Sequence, residues 1–126
     1  MRAVLDTSVL IDGLAEPVDA EFAISTASLA ELHFGVLMAK SPEARAARLR
    51  RLAVIERAFE ALPVTDAIAR TYGAIAATVA AAGRQPRARS FDLVIAATAA
   101  THEAALYTRN PKDFVHLQDF VDVVPV

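Results

Sequence analysis

Four acids in this chain stand where a short apolar run gives way to a helix-forming stretch. Asp6 follows Ala3, Val4 and Leu5; Glu31 comes soon after the segment 21–25; Asp92 lies two residues past Ser90; Asp113 follows the segment 105–108. Gathered at one point, two carboxylates about 5 Å apart would repel by about 3 kcal/mol at an effective dielectric of 20. A cluster of three or four therefore stays ionised and close only around a cation. The chain has no cysteine, and His33, His102 and His116 show no close ligand pairing, so zinc is disfavoured. Oxygen-only donors select a hard ion, Mg²⁺ or in its place Mn²⁺. Such an ion with open positions binds a phosphodiester oxygen, activates a water and stabilises the departing oxygen, with no protein nucleophile required.

Each acid also has an ordinary structural explanation. Asp6 could cap a helix beginning at Thr7, and Ser28-Leu-Ala-Glu31 matches a capping box. Asp92 would complement a helix dipole, and Asp113 could pair with Asn110 in another cap. The conjunction of all four favours the metal.

The elements that must position them follow from hydrophobic periodicity. Residues 2–6 read as a strand and 7 to about 14 as a short helix that Gly13 and Pro17 help to end. Segment 21–25 is a second strand. Residues 26 to about 40 form a helix with Leu29, Leu32, Val36 and Leu37 at helical spacing. Gly35 inside it costs about 1 kcal/mol relative to alanine, which suggests a close contact there. Ser41-Pro42-Glu43 starts a helix to about Glu60, with Leu49, Leu52, Ile55 and Phe59 as its buried stripe. Residues 62–64 read as a short strand or edge segment, and Thr65-Asp66 opens a helix to about Ala82 with the stripe Ile68, Tyr72, Ile75 and Val79, closed by Gly83. After a basic loop, 84–89, a helix runs from Phe91 to about Glu103, apolar nearly all round and so expected at the centre. Residues 105–108 are a strand, 109–114 a turn into one helical turn, and 120–124 a final strand. Short strands separated by helices are the pattern of a parallel sheet covered on both faces.

At 126 residues this fits a single domain, 1–126, with enough chain to bury a core without disulfides. The start of the chain is neither a signal peptide nor a span, and other apolar stretches are interrupted well short of twenty residues. A cytoplasmic protein away from membranes is the expectation. A net charge of −2 argues against a generally basic nucleic-acid coat but leaves room for local patches.

Val4-Leu5-Asp6-Thr7-Ser8, Ser28-Leu-Ala-Glu31-Leu-His-Phe-Gly35, Ser90-Phe-Asp92-Leu-Val-Ile-Ala-Ala97 and Tyr107-Thr-Arg-Asn-Pro-Lys-Asp113-Phe114 resemble, in order and spacing, the acidic motifs of PIN-domain ribonucleases. The short chain resembles the VapC toxins of bacterial type II toxin–antitoxin pairs, and the resemblance covers essentially its whole length. It implies a PIN-like three-layer α/β/α sandwich with a central parallel sheet of four to five short strands. It further implies Mg²⁺ ligation by Asp6 and Asp92, with Glu31 completing the pocket and Thr7 or Ser8 supporting the first acid. Many members carry an aspartate directly after the Thr-Arg pair; here Asn110 takes that position, and Asp113, one helical turn on, is the natural substitute. Thr108 is placed to orient an acid or contact phosphate.

The implied activity is endoribonuclease cleavage of RNA, restrained by a small VapB-like antitoxin that covers the acidic pocket, in a chain that forms a homodimer. Arg84, Arg87 and Arg89 run directly into Asp92 and are placed to steer a phosphate backbone, as are Arg109 and Lys112 beside the fourth motif. The arginines between Arg45 and Arg57 are a second candidate RNA surface, though a charged helix is more often a solvated face paired with Glu43, Glu56 and Glu60. His102 falls at a helix C-terminus and needs no catalytic role. Two other readings compete. A catalytically silent PIN scaffold that binds protein partners is prompted by Asn110. A haloacid dehalogenase-type phosphatase is disfavoured because Ser8 stands where its second aspartate is required.

Overall fold

The computed structural model describes residues 2–14 and 16–126. Five parallel strands form one sheet: β1 (Arg2–Leu5), β2 (Glu21–Ser25), β3 (Glu60–Leu62), β4 (Ala105–Thr108) and β5 (Val123–Pro125), in the order β3-β2-β1-β4-β5. The run Ala3-Val4-Leu5 is buried throughout, as a strand covered on both faces must be, and β1 is accordingly central. The short edge strands β3 and β5 carry less buried sequence.

Among the described residues, five α-helices complete three layers: α1 (Thr7–Asp12), α2 (Thr26–Leu37), α3 (Pro42–Ala58), α4 (Asp66–Ala81) and α5 (Ser90–Thr101). Strand alternation divides the core between the two faces. Ala3, Leu5, Ile24 and Tyr107 join Leu32, Val36, Leu52 and Ile55 of α2 and α3. Val4 and Leu106 point the other way, to Ile68, Ile75 and Val79 of α4 and the alanine-rich face of α5. On α5, Leu93, Ile95, Ala96, Ala97 and Ala99 are all buried, so this helix is the central one its composition indicates. Small side chains let it approach β1, β2 and β4 together. Among the described residues no helix is long and apolar enough to cross a membrane.

Several local expectations need correction. The third strand is Glu60–Leu62 rather than 62–64, because Pro63 has no N–H to continue a ladder, and Pro63 and Val64 are exposed. The last strand is Val123–Pro125 rather than 120–124: the N–H groups of Phe120 and Val121 turn back onto the Leu117 carbonyl. α2 ends at Leu37, and the 84–89 loop contains a 3₁₀ turn, Pro86–Arg89. Leu37 and Leu49, assigned to buried stripes, are 68% and 55% exposed. A Cβ at Gly35 would meet nothing within 4 Å, so that glycine serves no close approach. The cap of α2 is Ser25, whose hydroxyl accepts from the Ala27 N–H; Ser28 is buried inside the helix and makes no capping box.

Candidate active site

From β1 the chain steps outward through β2 to β3, then returns to the other side of β1 as β4 and continues to β5. The connections diverge at the carboxyl ends of β1 and β4, where an open α/β sheet leaves a crevice. Leu5 pairs with Tyr107 in the β1–β4 register, and the ladder extends one bond further, the Asp6 N–H donating to the Tyr107 carbonyl at 2.9 Å. Asp6 and Thr108 thus flank the switch point as neighbours.

Asp6 is 4% exposed, and Thr108 is fully buried. As the residue before α1, Asp6 occupies a cap position, yet its side chain does not cap the helix. Its Oδ2 instead accepts from Ser8 Oγ at 2.7 Å and from Thr108 Oγ1 at 2.8 Å. Each hydroxyl is held in turn by a backbone donor, Arg109 N–H to Ser8 Oγ at 3.1 Å and Asn110 N–H to Thr108 Oγ1 at 2.9 Å. Those N–H groups occupy lone pairs, so both hydroxyl protons are directed onto the carboxylate. The tripeptide Thr108-Arg109-Asn110 therefore holds the first acid in one orientation from the far side of the crevice.

Glu31 arrives from the second turn of α2. Thr7 Oγ1 donates to its Oε1 at 2.7 Å and also lies 3.0 Å from the buried Ser28 hydroxyl. Ser28 and Glu31 are three apart on one helix face, so both reach the same threonine. Burial raises the Glu31 pKa; the Thr7 bond opposes that rise, and the charge of Asp6 adds to it. Asp92 stands in the first turn of α5, half-buried, with its pKa pushed up to about 6. Burial is the largest cause, followed by the charges of Asp6, Asp113 and Glu31, with Arg89 pulling the other way. All four acids thus share one electrostatic neighbourhood. Among the described residues, no three acids or histidines are drawn into a ready-made ligand cage.

Asp113 lies in the 3₁₀ turn Pro111–Phe114, where Arg89 Nη1 bonds its Oδ1 at 3.0 Å in a pair that is about 28–29% exposed. The side chain of Asn110 caps nothing; its contribution is the backbone donor to Thr108. Of the basic residues expected to face a phosphate backbone, Arg87 is exposed and lines a groove of about 300 Å³ with Glu31 and Asp92. Arg89 is committed to Asp113, and Arg109 Nη1 donates to the Gly13 carbonyl at 2.9 Å beyond the end of α1. Lys112 borders a separate cleft against the C-terminal segment, and Arg84 makes no hydrogen bond to the acids among the described residues. Two contacts go beyond the sequence expectations. One is the link of Ser28 to Thr7; the other is a buried contact of Thr98 Oγ1 with Ser25 Oγ, 3.4 Å, which ties α5 to the start of α2. The signal for the first was the i, i+3 spacing to Glu31; the second, spanning 73 residues, had none.

A sequence model of the family described as the PIN domain matches residues 3–119. Ribonuclease VapC4 of Mycobacterium tuberculosis is 34% identical over 131 residues, covering 99% of this chain and 97% of the relative. Ribonuclease VapC5 of the same organism is 37% identical over 126 residues, covering 95% and 90%. Among solved structures, a member of the VapBC family of toxin-antitoxin systems, VapBC-5 from Mycobacterium tuberculosis, superposes with a TM-score of 0.87 at 37% identity over 99% of this chain and 98% of that one. VapBC2 from Rickettsia felis, bound to a DNA fragment from their promoter, shares the fold with a TM-score of 0.80 at 21% identity, covering 100% of this chain and 99% of that one.

Proposed function

The chain belongs to the PIN-domain family, and from that premise we propose that it is a metal-dependent endoribonuclease, the toxin of a type II toxin–antitoxin pair. The observation that carries the reading is the placement of Asp6 at the end of β1, with Glu31 on α2, Asp92 on α5 and Asp113 near enough to interact, the pKa of Asp92 being raised first by burial and then by the charges of the other three acids. Acids whose ionisation is opposed by burial and by one another gain from a cation between them, and an all-oxygen donor set fits Mg²⁺, with Mn²⁺ as a substitute. In this proposal Asp6 and Asp92 are the ligands, Glu31 completes the set, and Asp113 takes the fourth place that Asn110 leaves neutral. When bound, Mg²⁺ supplies Lewis acidity toward a phosphodiester oxygen and the attacking water.

The chain's own residues supply position. Ser8 and Thr108 fix the Asp6 carboxylate, Thr7 fixes Glu31, and Arg89 holds Asp113 while moderating the charge around Asp92. Arg87 is placed to contact a phosphate of the RNA beside Asp92.

The same proposal includes a VapB-like antitoxin and a homodimer, in a cytoplasmic protein. The antitoxin has a natural seat on the apolar residues Phe34, Leu37, Met38 and Leu49, each more than half exposed, along α2 and α3, the two helices that also supply Leu32, Gly35, Arg48 and Arg51 to the groove at Glu31. The test is cleavage of RNA with and without Mg²⁺ by the wild type, Asp6→Ala and Asp92→Ala. Cleavage by the wild type alone, and only with the metal, supports the reading. Equal cleavage by all three removes the site assignment, and no cleavage under any divalent ion leaves the protein-binding scaffold.

A further inference from the structure

Of the basic groups flanking the acids, Arg89 is already neutralised by Asp113, and Arg109 is drawn to the far end of α1 by the Gly13 carbonyl. Glu31, however, is the shared wall of two open grooves. One, about 300 Å³, runs along the start of α5 past Arg87 and Asp92. The other, about 380 Å³, lies on the opposite side between α1, α2 and α3, and is lined by Thr7, Ile11, Arg48 and Arg51.

The two arginines of this second groove are placed differently. Arg48 Nη1 donates to the Gly35 carbonyl, which pins its guanidinium against α2 and leaves its other N–H groups available, since the fork has five. Arg51 is half-buried, and its Nε is shielded from solvent with no hydrogen-bond partner. Neither arginine forms an ion pair among the described residues, while Glu56 on the same helix is matched to His33 at 3.2 Å. A shielded, unpartnered N–H costs about 1–3 kcal/mol, and more on a charged group. That N–H is out of contact with the groove, but no acid neutralises the guanidinium among the described residues, and its terminal N–H groups match phosphate oxygens in two-point contacts.

We infer that Arg48 and Arg51 form a phosphate subsite for the RNA backbone on the Thr7 side of Glu31. The strand then crosses the acids from α3 toward Arg87, with one phosphate held on each side of the reacting one. This inference rests on the endoribonuclease reading and assigns the path of its substrate.

The test is binding of a single-stranded RNA oligonucleotide to the Asp92→Asn chain across a range of KCl concentrations. Each lost phosphate contact makes the slope of log K against log salt shallower by about 0.7 for single strands. Adding Arg51→Gln is expected to flatten the slope by about that much, Arg51→Lys to leave it intact, and Arg87→Gln to flatten it independently. Urea melts of each variant establish that the fold is retained, and Arg48→Gln serves as a second variant on the same groove. An unchanged slope in folded Arg51→Gln and Arg48→Gln overturns the inference. So does weakened antitoxin binding with the RNA slope intact, which would make the groove a protein site. Failure of the parent to bind RNA, together with no cleavage by the wild type, overturns the endoribonuclease reading itself and the inference with it. Cleavage by the wild type with unaltered slopes overturns the inference alone.

Discussion

Replacing Thr108 by valine keeps the β-branched shape in β4 and removes one hydroxyl. Thr108 is fully buried, and its hydroxyl donates to Asp6 Oδ2 at 2.8 Å while accepting the Asn110 N–H at 2.9 Å. A hydrogen bond to a charged group contributes about 1.5–3 kcal/mol. Asn110 is exposed, so water can take over its N–H and little is added from that side. The expected loss in a urea melt is therefore about 2 kcal/mol, a factor of roughly 30 in the folding constant. In a domain of ordinary stability, about 5–15 kcal/mol, the variant stays folded. Ser8→Ala removes the second hydroxyl from the same carboxylate oxygen, and the two hydroxyls lie 3.4 Å apart. The pair should be non-additive, with a coupling of about 0.5–3 kcal/mol in a double-mutant cycle. In the RNA cleavage assay both singles are expected to lower turnover with the fold intact, because Asp6 loses a fixed orientation, and Thr108→Ser should recover most of it. A Thr108→Val cost under about 0.5 kcal/mol, additive with Ser8→Ala and with cleavage unaltered, would refute the idea that these hydroxyls position the acid.

In the metal-free chain, Asp92 binds its proton up to about 6 when folded and only up to its ordinary 3.8 when unfolded. Between those values the folded state holds more protons, so stability falls as pH rises through the window, and Asp92→Asn should remove the Asp92 share of that fall, leaving the share of Glu31, whose pKa is also raised. Because Asp92 is only half-buried, the stability gained by the Asp92→Asn variant above pH 7 is expected to be about 1 kcal/mol after solvent screening, and urea melts at pH 4 and pH 8 measure it. Arg89→Gln removes the one charge that lowers the Asp92 pKa, so the titration of Asp92 followed by carboxyl NMR should move up; a downward move would contradict the arrangement. Mg²⁺ at ten times its Kd should stabilise the wild type by about 1.4 kcal/mol, a gain that EDTA reverses and that Asp6→Ala and Asp92→Asn lack in thermal melts. Leu37→Arg, on an exposed position of α2, should leave cleavage unchanged and raise the antitoxin concentration needed for inhibition at least tenfold in a titration.

What the chain reveals about its own fold depends on how local the cause is. The central strand declares itself in Ala3-Val4-Leu5, since three consecutive apolar residues before an acid have no exposed face to offer. α5 declares itself through small and aliphatic residues on every side. Edges are harder to read. At Pro63 the missing N–H, not hydrophobicity, ends the pairing, so Leu62 closes β3 instead of opening it. Leu37 and Leu49 continue the apolar spacing of their helices past the ground the sheet covers, and spacing alone cannot say where the sheet stops.

The acids were legible because their positions follow from strand ends, which periodicity supplies. Their partners were not, because each partner is chosen by tertiary assembly. Thr108 reaches Asp6 across 102 residues, and Arg109 reaches Gly13 across 96. That last contact shows why a basic residue beside an acidic motif is a weak guide to RNA. Arg109 and Arg89 have the sequence position of phosphate contacts, yet one guanidinium caps a helix and the other neutralises Asp113. Arg51 has the opposite history: it sits in the arginine-rich stretch that reads most simply as a solvated face, yet it is half-buried, forms no ion pair among the described residues and lines the same groove as Glu31. A cation neutralised by a carboxylate has little further use for a phosphate, whereas one without an acidic partner in a groove gains from it. The path of the substrate is therefore better inferred from which charges the fold leaves unpaired than from which charges lie close to the acids in sequence.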